Sequence, residues 1–524
     1  MIEWLAARHW GLRGAVAVLS GVLTALAFEP YGWWPLVLPG VAGLSLVVLA
    51  SRRVRGAVGL GYLWGTGFLL LGIGWMQVIF PQAMVGLVAV EAAFYALLGA
   101  LLKVAVRTRW WPLLAAACWT GVEFTFTRFP FNGFGWMRLG YAMVDSPLAW
   151  MLPLVGVAGL SFATALLGQA LLWLAASPSR GRAVVTAATV AGTGLMAGAG
   201  AFVPVGAQTG TVDVGWVQGG APGGGVYGIG TARTTTRNHL AEADRLQSRI
   251  EAGELPRPDF VVLPENTTDM DPFTDAQTGA MVASMSARLG VPMLFGAILD
   301  GPGADERQTV SLWWEPGRGE VARYTKRGIV PFGEWVPYRS LLVPLIPELR
   351  YVGAQSIPGT APGAIPVTLA DGRSLTLGVM ICYDLVYDDF AHDTVRHGGQ
   401  VLLVQSSNAM YQGTGQIEQQ FAITRARALE LRREVLVATT SGISGLINAD
   451  GSVAFTAPDH VGASGVVTLA ERSGLTPATW LASPLELAIT LLALFGLGAS
   501  ARYGRMDRTG PRTGEQNGRL GSVA

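Results

Sequence analysis

Long apolar runs dominate the first part of this chain and return near its end. Seven runs fall at roughly residues 14–28, 33–50, 57–80, 84–106, 110–126, 147–176 and 183–203, and an eighth lies at about 479–500. A helix needs ~20 apolar residues to cross a ~30 Å hydrocarbon core. Only 14% of the 524 residues are charged, against about 25% in soluble globular proteins. The pattern predicts a polytopic α-helical membrane domain of about eight spans.

The first of these runs also fits a signal peptide. It is short, and its Leu-Thr-Ala-Leu-Ala-Phe end offers a weak cleavage site. Because further spans follow at once, we interpret the run as an uncleaved helix.

Basic residues predict the orientation of the spans. Lys and Arg precede the first run and follow the second, fourth, sixth and eighth, whereas the loops near 29–32 and 80–83 carry none. We expect the protein to lie in the plasma or inner membrane of the cell. Since cytoplasmic loops are enriched in Lys and Arg, we expect both termini to be cytoplasmic. The region between spans seven and eight is then extracytoplasmic. Arg128 and Arg138 are exceptions to the pattern.

Three acidic residues and one aromatic loop stand out in the apolar part. Glu91, Glu123 and Glu486 lie in or beside the spans, where an ionisable group is a candidate functional residue. Hydrogen bonding to neighbouring helices or interfacial groups is the alternative. The loop at 127–146 is rich in aromatic residues and glycine, and it either lines a path for lipid or anchors the helices at the interface.

The chain divides into four parts on these grounds. Residues 1–209 form a seven-span membrane domain, 210–473 have the character of a soluble domain, 474–500 hold the eighth span, and 501–524 form a basic cytoplasmic tail. A net charge of +1 without a basic stripe argues against a nucleic-acid partner. Two cysteines in different surroundings cannot supply a disulfide framework.

In the soluble part, short apolar segments alternate with polar segments of helical character. Strands are predicted at Val212–Val217, Phe260–Leu263, Met293–Ile298, Thr309–Trp314, Leu375–Ile381, Val401–Gln405, Val435–Thr439 and Gly445–Asn448, and helices at Arg233–Ala252, Asp275–Leu289 and Gln416–Arg433. Repeated β and α units of this kind predict an α/β sandwich.

Reactive side chains occur at the ends of these strands or in the loops that follow. Glu265 ends the segment Phe-Val-Val-Leu-Pro-Glu, Cys382 follows the strand 375–381, and Lys326 and Glu334 share one loop. Taken singly, a solvated Glu or Lys and a buried Cys are the commoner interpretations. Together they suit thiol acyl chemistry, in which a carboxylate takes the thiol proton, the thiolate attacks a carbonyl and an ammonium stabilises the oxyanion. None of the five histidines occupies a comparable position.

Motifs around these residues resemble those of a known family. Leu-Pro-Glu265, Tyr-x-Lys326 followed by Val-Pro-Phe-Gly-Glu334, and Ile-Cys382-Tyr are similar to the Glu-Lys-Cys motifs of the nitrilase superfamily, and Arg427-Ala-Leu-Glu430 is similar to its helix after the nucleophile. Combined with the apolar spans and with Asp145-Ser146-Pro147-Leu148, they make the chain resemble the apolipoprotein N-acyltransferases, a membrane-embedded branch of that superfamily.

The resemblance implies a nitrilase-like αββα sandwich on the outer side of the membrane, with no metal and no cofactor. The implied site residues are Glu265, Lys326 and Cys382 as the catalytic triad, with Glu334, Tyr383 and Asp384 in support. The implied reaction takes an acyl chain from a membrane phospholipid, holds it as a thioester and transfers it to the α-amine of the diacylglyceryl-cysteine of an apolipoprotein. That transfer is the last step of lipoprotein maturation.

Two other functions stay open from the residues themselves. A membrane-anchored amidase that acts on a small amide shares the triad but needs one anchor rather than eight spans. A transporter or sensor with a ligand-binding outer domain would leave Glu265, Lys326 and Cys382 individually dispensable.

Overall fold

The computed structural model describes residues 1–225, 230–458 and 461–509. The α-helices in these residues are α1 (Ile2–Ala6), α2 (Trp10–Ala25), α3 (Val37–Ala50), α4 (Val54–Gly72), α5 (Pro81–Ala105), α6 (Trp111–Phe126), α7 (Leu152–Ala176), α8 (Arg180–Ala201), α9 (Thr234–Glu251), α10 (Ala276–Leu289), α11 (Arg339–Leu345), α12 (Asp388–Arg396), α13 (Gln416–Leu431) and α14 (Ala478–Thr509). The strands are β1 (Gln208–Gln218), β2 (Phe260–Val262), β3 (Met293–Asp300), β4 (Glu306–Glu315), β5 (Gly319–Thr325), β6 (Gln355–Ser356), β7 (Ala364–Thr368), β8 (Ser374–Ile381), β9 (Val401–Ser406), β10 (Val435–Thr439), β11 (Gly445–Ile447), β12 (Val453–Thr456) and β13 (Ala463–Arg472).

Each predicted apolar run coincides with one helix of a helical domain made of α2–α8 and α14. Helices α4, α5 and α8, the segment Pro147–Ala176 that contains α7, and α14 up to Arg502 are long and apolar enough to cross a membrane. Helix α2 and the segment Trp34–Ala50 are apolar but shorter, and α6 has 16 residues. The run predicted at 57–80 is too long, because α4 ends at Gly72 and a separate 3-10 turn follows.

Helix α14 continues to Thr509, past the end predicted for the eighth span at residue 500. The one glycine in this continuation, Gly504, costs a helix only about 1 kcal/mol relative to alanine. The rest of the predicted tail, 510–524, lies outside the described residues.

The two arginines that depart from the charge pattern pair with two of the acidic residues of the helical domain. Arg138 donates to Glu486 at 2.9 Å and lies 3.7 Å from Glu123, and Arg128 donates to Glu486 at 2.8 Å. Burial of an unpaired charge is costly, so pairing explains how these groups are tolerated beside apolar helices. For Glu123 and Glu486, the structure therefore shows pairing with neighbouring side chains.

The soluble part folds as the predicted α/β sandwich. One sheet has the order β13-β1-β2-β3-β4-β5, with β6 beside β4, and the other has the order β12-β11-β10-β9-β8-β7. Strands β8, β9 and β10 are parallel, and α12 and α13 make the crossovers between them. The elements that the sequence did not predict are β5, β6, β7, β12, β13, α11 and α12.

The side chains of β8 point alternately to the other sheet and to the helical domain, so β8 packs against both. Leu375, Leu377 and neighbouring odd-numbered residues face the other sheet, as the period of two in a strand requires. Met380 points to the opposite face, where it shares an apolar cluster with α12, α13 and residues of the helical domain such as Met143. Helices α9 and α10 cover the outer face of the other sheet. The layers are αββα, and one helical layer is continuous with the helical domain.

Helices α4 and α5 approach each other closely through glycine. A Cβ on Gly99 would lie 2.3 Å from the Ala57 carbonyl oxygen, and one on Gly61 would lie 2.2 Å from that of Tyr95. Small residues allow such backbone contact between apolar helices.

We expect Gly99→Val to separate α4 from α5 and to lower the stability of the purified protein by about 1–3 kcal/mol, the usual cost of overpacking. Thermal unfolding in detergent measures the effect. Gly86→Val is the matched control on the same helix, because a Cβ there meets nothing within 4 Å. Equal melting temperatures for the two variants would contradict the assignment of this contact.

Candidate active site

Cys382 stands at the point where β8 ends and a 3-10 turn begins. This turn, Cys382–Val386, is here termed the Cys382 turn. Cys382 has a φ of +48°, a left-handed conformation that is uncommon for residues other than glycine. Such strain persists only where the surroundings enforce it, and it clusters at functional sites. Cys382 as a whole residue is partly exposed, whereas Cys118 is buried within the helical domain.

Asp384 ties the Cys382 turn to the loop after β5. Its carboxylate accepts hydrogen bonds from the Ile381 amide at 3.0 Å, the Gly328 amide at 2.6 Å and the Tyr324 hydroxyl at 2.9 Å. A Cβ on Gly328 would lie 2.9 Å from the Asp384 carboxylate. Glycine at 328 therefore allows the two loops to come into contact.

Lys326 lies between two carboxylates. Its Nζ donates to Glu265 Oε1 at 2.9 Å and to Glu334 Oε1 at 3.0 Å. Glu265 also accepts from the Ser407 amide at 2.9 Å, and Glu334 accepts from the Val330 amide at 2.9 Å. Lys326 is 1% exposed and Glu265 is 4% exposed, so both side chains are fixed by these partners.

The two sheets deliver these groups to one edge of the sandwich. Glu265 follows β2 and Lys326 follows β5 in the first sheet, while Cys382 follows β8 in the second. Rigid strands position the loops that extend from their ends. The charges of Glu265 and Lys326 both act on the Cys382 thiol, so the structure brings all three predicted triad residues into one site.

Burial and charge set the protonation of the site. Burial and the nearby Glu265 carboxylate raise the pKa of the Cys382 thiol. Burial also raises the pKa of Glu265 above its ordinary value, although the Lys326 ammonium opposes the rise. Burial disfavours the Lys326 ammonium, but Glu265 and Glu334 outweigh burial and raise the pKa of Lys326. A protonated thiol, a carboxylate that is more basic than usual and an ammonium group therefore meet here.

The side chain of Tyr383 points away from Lys326, into the helical domain. Its ring stacks on Trp136 with centroids 6.2 Å apart, and its hydroxyl donates to the Gly133 carbonyl at 3.3 Å. Any part that Tyr383 takes in chemistry would have to come from its backbone amide.

The sequence did not indicate the amide cluster on the other side of the thiol. Gln420 Oε1 accepts from Asn408 at 2.6 Å and from Gln416 at 3.0 Å, which directs its Nε2 to Ser406 at 2.7 Å. The Gln420 side chain also lies near the Cys382 thiol and partly opposes the rise in its pKa. Nothing local marks this glutamine, because only tertiary packing brings the first turn of α13 over the end of β8.

Aromatic side chains rim the loop that carries Glu334. Phe131, from the loop after α6, packs edge-on against Phe332, Trp335 and Tyr338, with ring centroids 5.9 to 6.2 Å apart. Phe332 is 41% exposed. An exposed apolar rim of this kind suits contact with acyl chains.

Both parts of the chain match known families. The family model described as apolipoprotein N-acyltransferase N-terminal domain matches residues 20–170, and the model described as carbon-nitrogen hydrolase matches residues 261–470. An amidase from Nesterenkonia sp. is similar to this chain with 14% identity and a TM-score of 0.37, covering 54% of this chain and 98% of its own.

Curated relatives match across most of their length. The apolipoprotein N-acyltransferase of Mycolicibacterium smegmatis is 30% identical over 460 residues, which cover 83% of this chain and 76% of the relative. That of Haemophilus influenzae is 26% identical over 91% of this chain and 93% of the relative. On a match of this identity over most of both chains, the chain belongs to the apolipoprotein N-acyltransferase family.

Proposed function

We propose that this enzyme transfers an acyl chain from a membrane phospholipid to the α-amine of the diacylglyceryl-modified N-terminal cysteine of apolipoproteins. The supporting observation is the buried Lys326 ammonium between two carboxylates, acting on a cysteine that is held in a strained turn. The fusion of this site to a bundle of apolar helices suits two substrates that are both held in the bilayer by their acyl chains.

In the first half-reaction, Glu265 takes the proton of Cys382 and the sulfur attacks an ester carbonyl of the phospholipid. The C–O bond of the ester breaks, the lysophospholipid leaves with the proton, and the acyl chain stays on sulfur as a thioester. Lys326 faces the oxyanion, together with the Tyr383 amide. One such donor contributes about 3–4 kcal/mol of transition-state stabilisation.

In the second half-reaction, the apolipoprotein amine attacks the thioester carbonyl. A C–N bond forms and the C–S bond breaks, and Glu265 takes the proton of the amine and passes it to the leaving sulfur, which restores the thiol. Glu334 orients Lys326, since its carboxylate holds the ammonium from the side opposite Glu265. The aromatic rim around Phe332 and Trp335 helps to keep water from the thioester, which would otherwise hydrolyse.

The same proposal places the catalytic domain outside the cytoplasm and both termini inside. Its support is the distribution of Lys and Arg in the short loops, which follows the positive-inside rule.

We expect Cys382→Ala to abolish the acyl adduct, because no other atom in the site can carry the chain as a thioester. Intact-mass analysis after incubation with a defined phospholipid measures the adduct, and hydroxylamine should remove it from the wild type. Cys118→Ala is the control, since Cys118 is buried away from the site. A hydroxylamine-sensitive adduct at normal levels on Cys382→Ala would disprove the assignment.

Glu265→Gln should slow thioester formation by roughly 10²–10⁴-fold, the contribution of a positioned base. In the wild type the rate should fall as pH drops through the Glu265 pKa, which burial raises above its ordinary value, because only the ionised carboxylate accepts a proton. In Glu265→Gln this fall of the rate at low pH should be absent. Rapid-quench measurement of the adduct between pH 4 and 8 tests both points, with the exposed Glu254→Gln as control. An unchanged pH profile would remove Glu265 as the base.

Orientation is testable with single added cysteines on a Cys118→Ala, Cys382→Ala background, in which the added thiol is the only one in the chain. Ala252→Cys, exposed on the catalytic domain, should react with a membrane-impermeant maleimide in intact spheroplasts. Ser177→Cys, exposed between α7 and α8 at the opposite end of the helices, should react only after permeabilisation. The reverse labelling pattern would invert the proposed topology.

A further inference from the structure

The loop between α6 and α7, residues 127–146, wraps the Cys382 turn. The contacts run from Tyr383 Oη to the Gly133 carbonyl at 3.3 Å, from Tyr141 Oη to the Val386 carbonyl at 3.5 Å, and from Tyr387 Oη to the Asn132 carbonyl at 3.1 Å. The stacking of Trp136 on Tyr383 adds an aromatic contact. The aromatic loop that the sequence singled out thus packs on the backbone that carries the thiol.

A chain of buried charges links this loop to the same turn. Arg138 is 2% exposed, and its two Nη atoms donate to Asp388 Oδ2 at 2.8 Å and to Glu486 Oε1 at 2.9 Å. The other oxygen of Asp388 accepts from Arg427 at 2.6 Å. Arg427 in turn donates its Nε–H to the Leu385 carbonyl, inside the Cys382 turn, at 2.8 Å.

From these contacts we infer that Arg138 is a positioning residue of the catalytic site: through Asp388 and Arg427, the helical domain holds the Cys382 turn in its reactive geometry. The inference rests on the proposed acyl-thioester function. The helical domain then has a second function besides residing in the membrane. It supplies contacts that hold the backbone of Cys382 in the left-handed conformation.

The two sides of the turn explain why such a group is needed. Asp384 fixes the inner side through Ile381, Gly328 and Tyr324. The outer side is fixed by Arg427, whose remaining donors bind Asp388, Glu430 and the Tyr141 hydroxyl. The planar guanidinium of an arginine presents its donors in a rigid fork, whereas a lysine carries one compact ammonium on a flexible stem. A misplacement of about 1 Å at a reacting atom costs roughly 10²-fold in rate.

Loss of Arg138 leaves its main partners with other donors, so the fold is expected to survive. Glu486 keeps Arg128 at 2.8 Å, Asp388 keeps Arg427, and Glu123 keeps the Leu139 amide at 2.9 Å. Arg128 supplies a matched control. It lies on the same loop and binds the same Glu486, but its other hydrogen bonds go to Phe124 and Thr127 rather than towards the Cys382 turn.

The test compares Arg138→Gln with Arg128→Gln in the full-length protein in lipid nanodiscs. Rapid-quench mass spectrometry gives the first-order rate of thioester formation at saturating phospholipid, and the KM for phospholipid. Arg138→Gln should lower this rate roughly 10²-fold with little change in KM, and Arg138→Lys should recover part of it. Arg128→Gln should stay near the wild-type rate. Similar rates for the two Gln variants would overturn the inference.

A second readout separates positioning from general stability. The rate of Cys382 alkylation by iodoacetamide as a function of pH, resolved from Cys118 by peptide mass, should change its profile in Arg138→Gln and stay as in the wild type in Arg128→Gln. Asp388→Asn should resemble Arg138→Gln, and the double variant should be no slower than the slower single variant, since both act through one contact. Multiplying effects, or an unchanged alkylation profile, would refute the positioning role. A wild type that forms no thioester would instead refute the proposed function.

Discussion

The ammonium of Lys326, buried between Glu265 and Glu334, is the interaction on which the site depends. A lone cation of this kind would be strongly destabilising, and each carboxylate would be equally costly without it. Together they hold the loops after β2 and β5 against each other. The same arrangement keeps a positive charge next to a thiol whose pKa is raised, so the ion group serves both folding and chemistry.

Lys326 and its two carboxylates can act on the thiol only if Cys382 is held in place. The left-handed backbone at Cys382 is held on one side by Asp384 and on the other by Arg427, which binds the carbonyl of Leu385. The Asp384 carboxylate also contacts Gly328, two residues after Lys326. Movement of one loop is therefore transmitted to the other, so the side chains of Cys382, Glu265 and Lys326 keep fixed positions relative to one another.

A continuous apolar core connects the site to the helical domain. Residues of β8, α12 and α13 share one cluster with the helices of the amino-terminal half, so no solvated linker separates the site from the apolar helices. In the proposed reaction both substrates are held in the bilayer by acyl chains, and a site that could tilt freely above the bilayer would meet their reacting groups in many orientations. A packed and charge-paired junction removes that freedom.

The sequence by itself determined the apolar helices, the central strands and the residues Glu265, Lys326 and Cys382, because period, length and strand-end motifs are local properties of the chain. Edge strands such as β7 and β13 were not predicted, since their stability comes from pairing with a neighbouring strand of the sheet. The contacts of Arg138 and Gln420 were decided only by tertiary structure. Arg138 meets Asp388 across 250 residues, and its charge looked like an exception to the topology pattern until that partner was seen. Pairing of buried charges depends on which groups the fold brings together, and no local pattern contains that information.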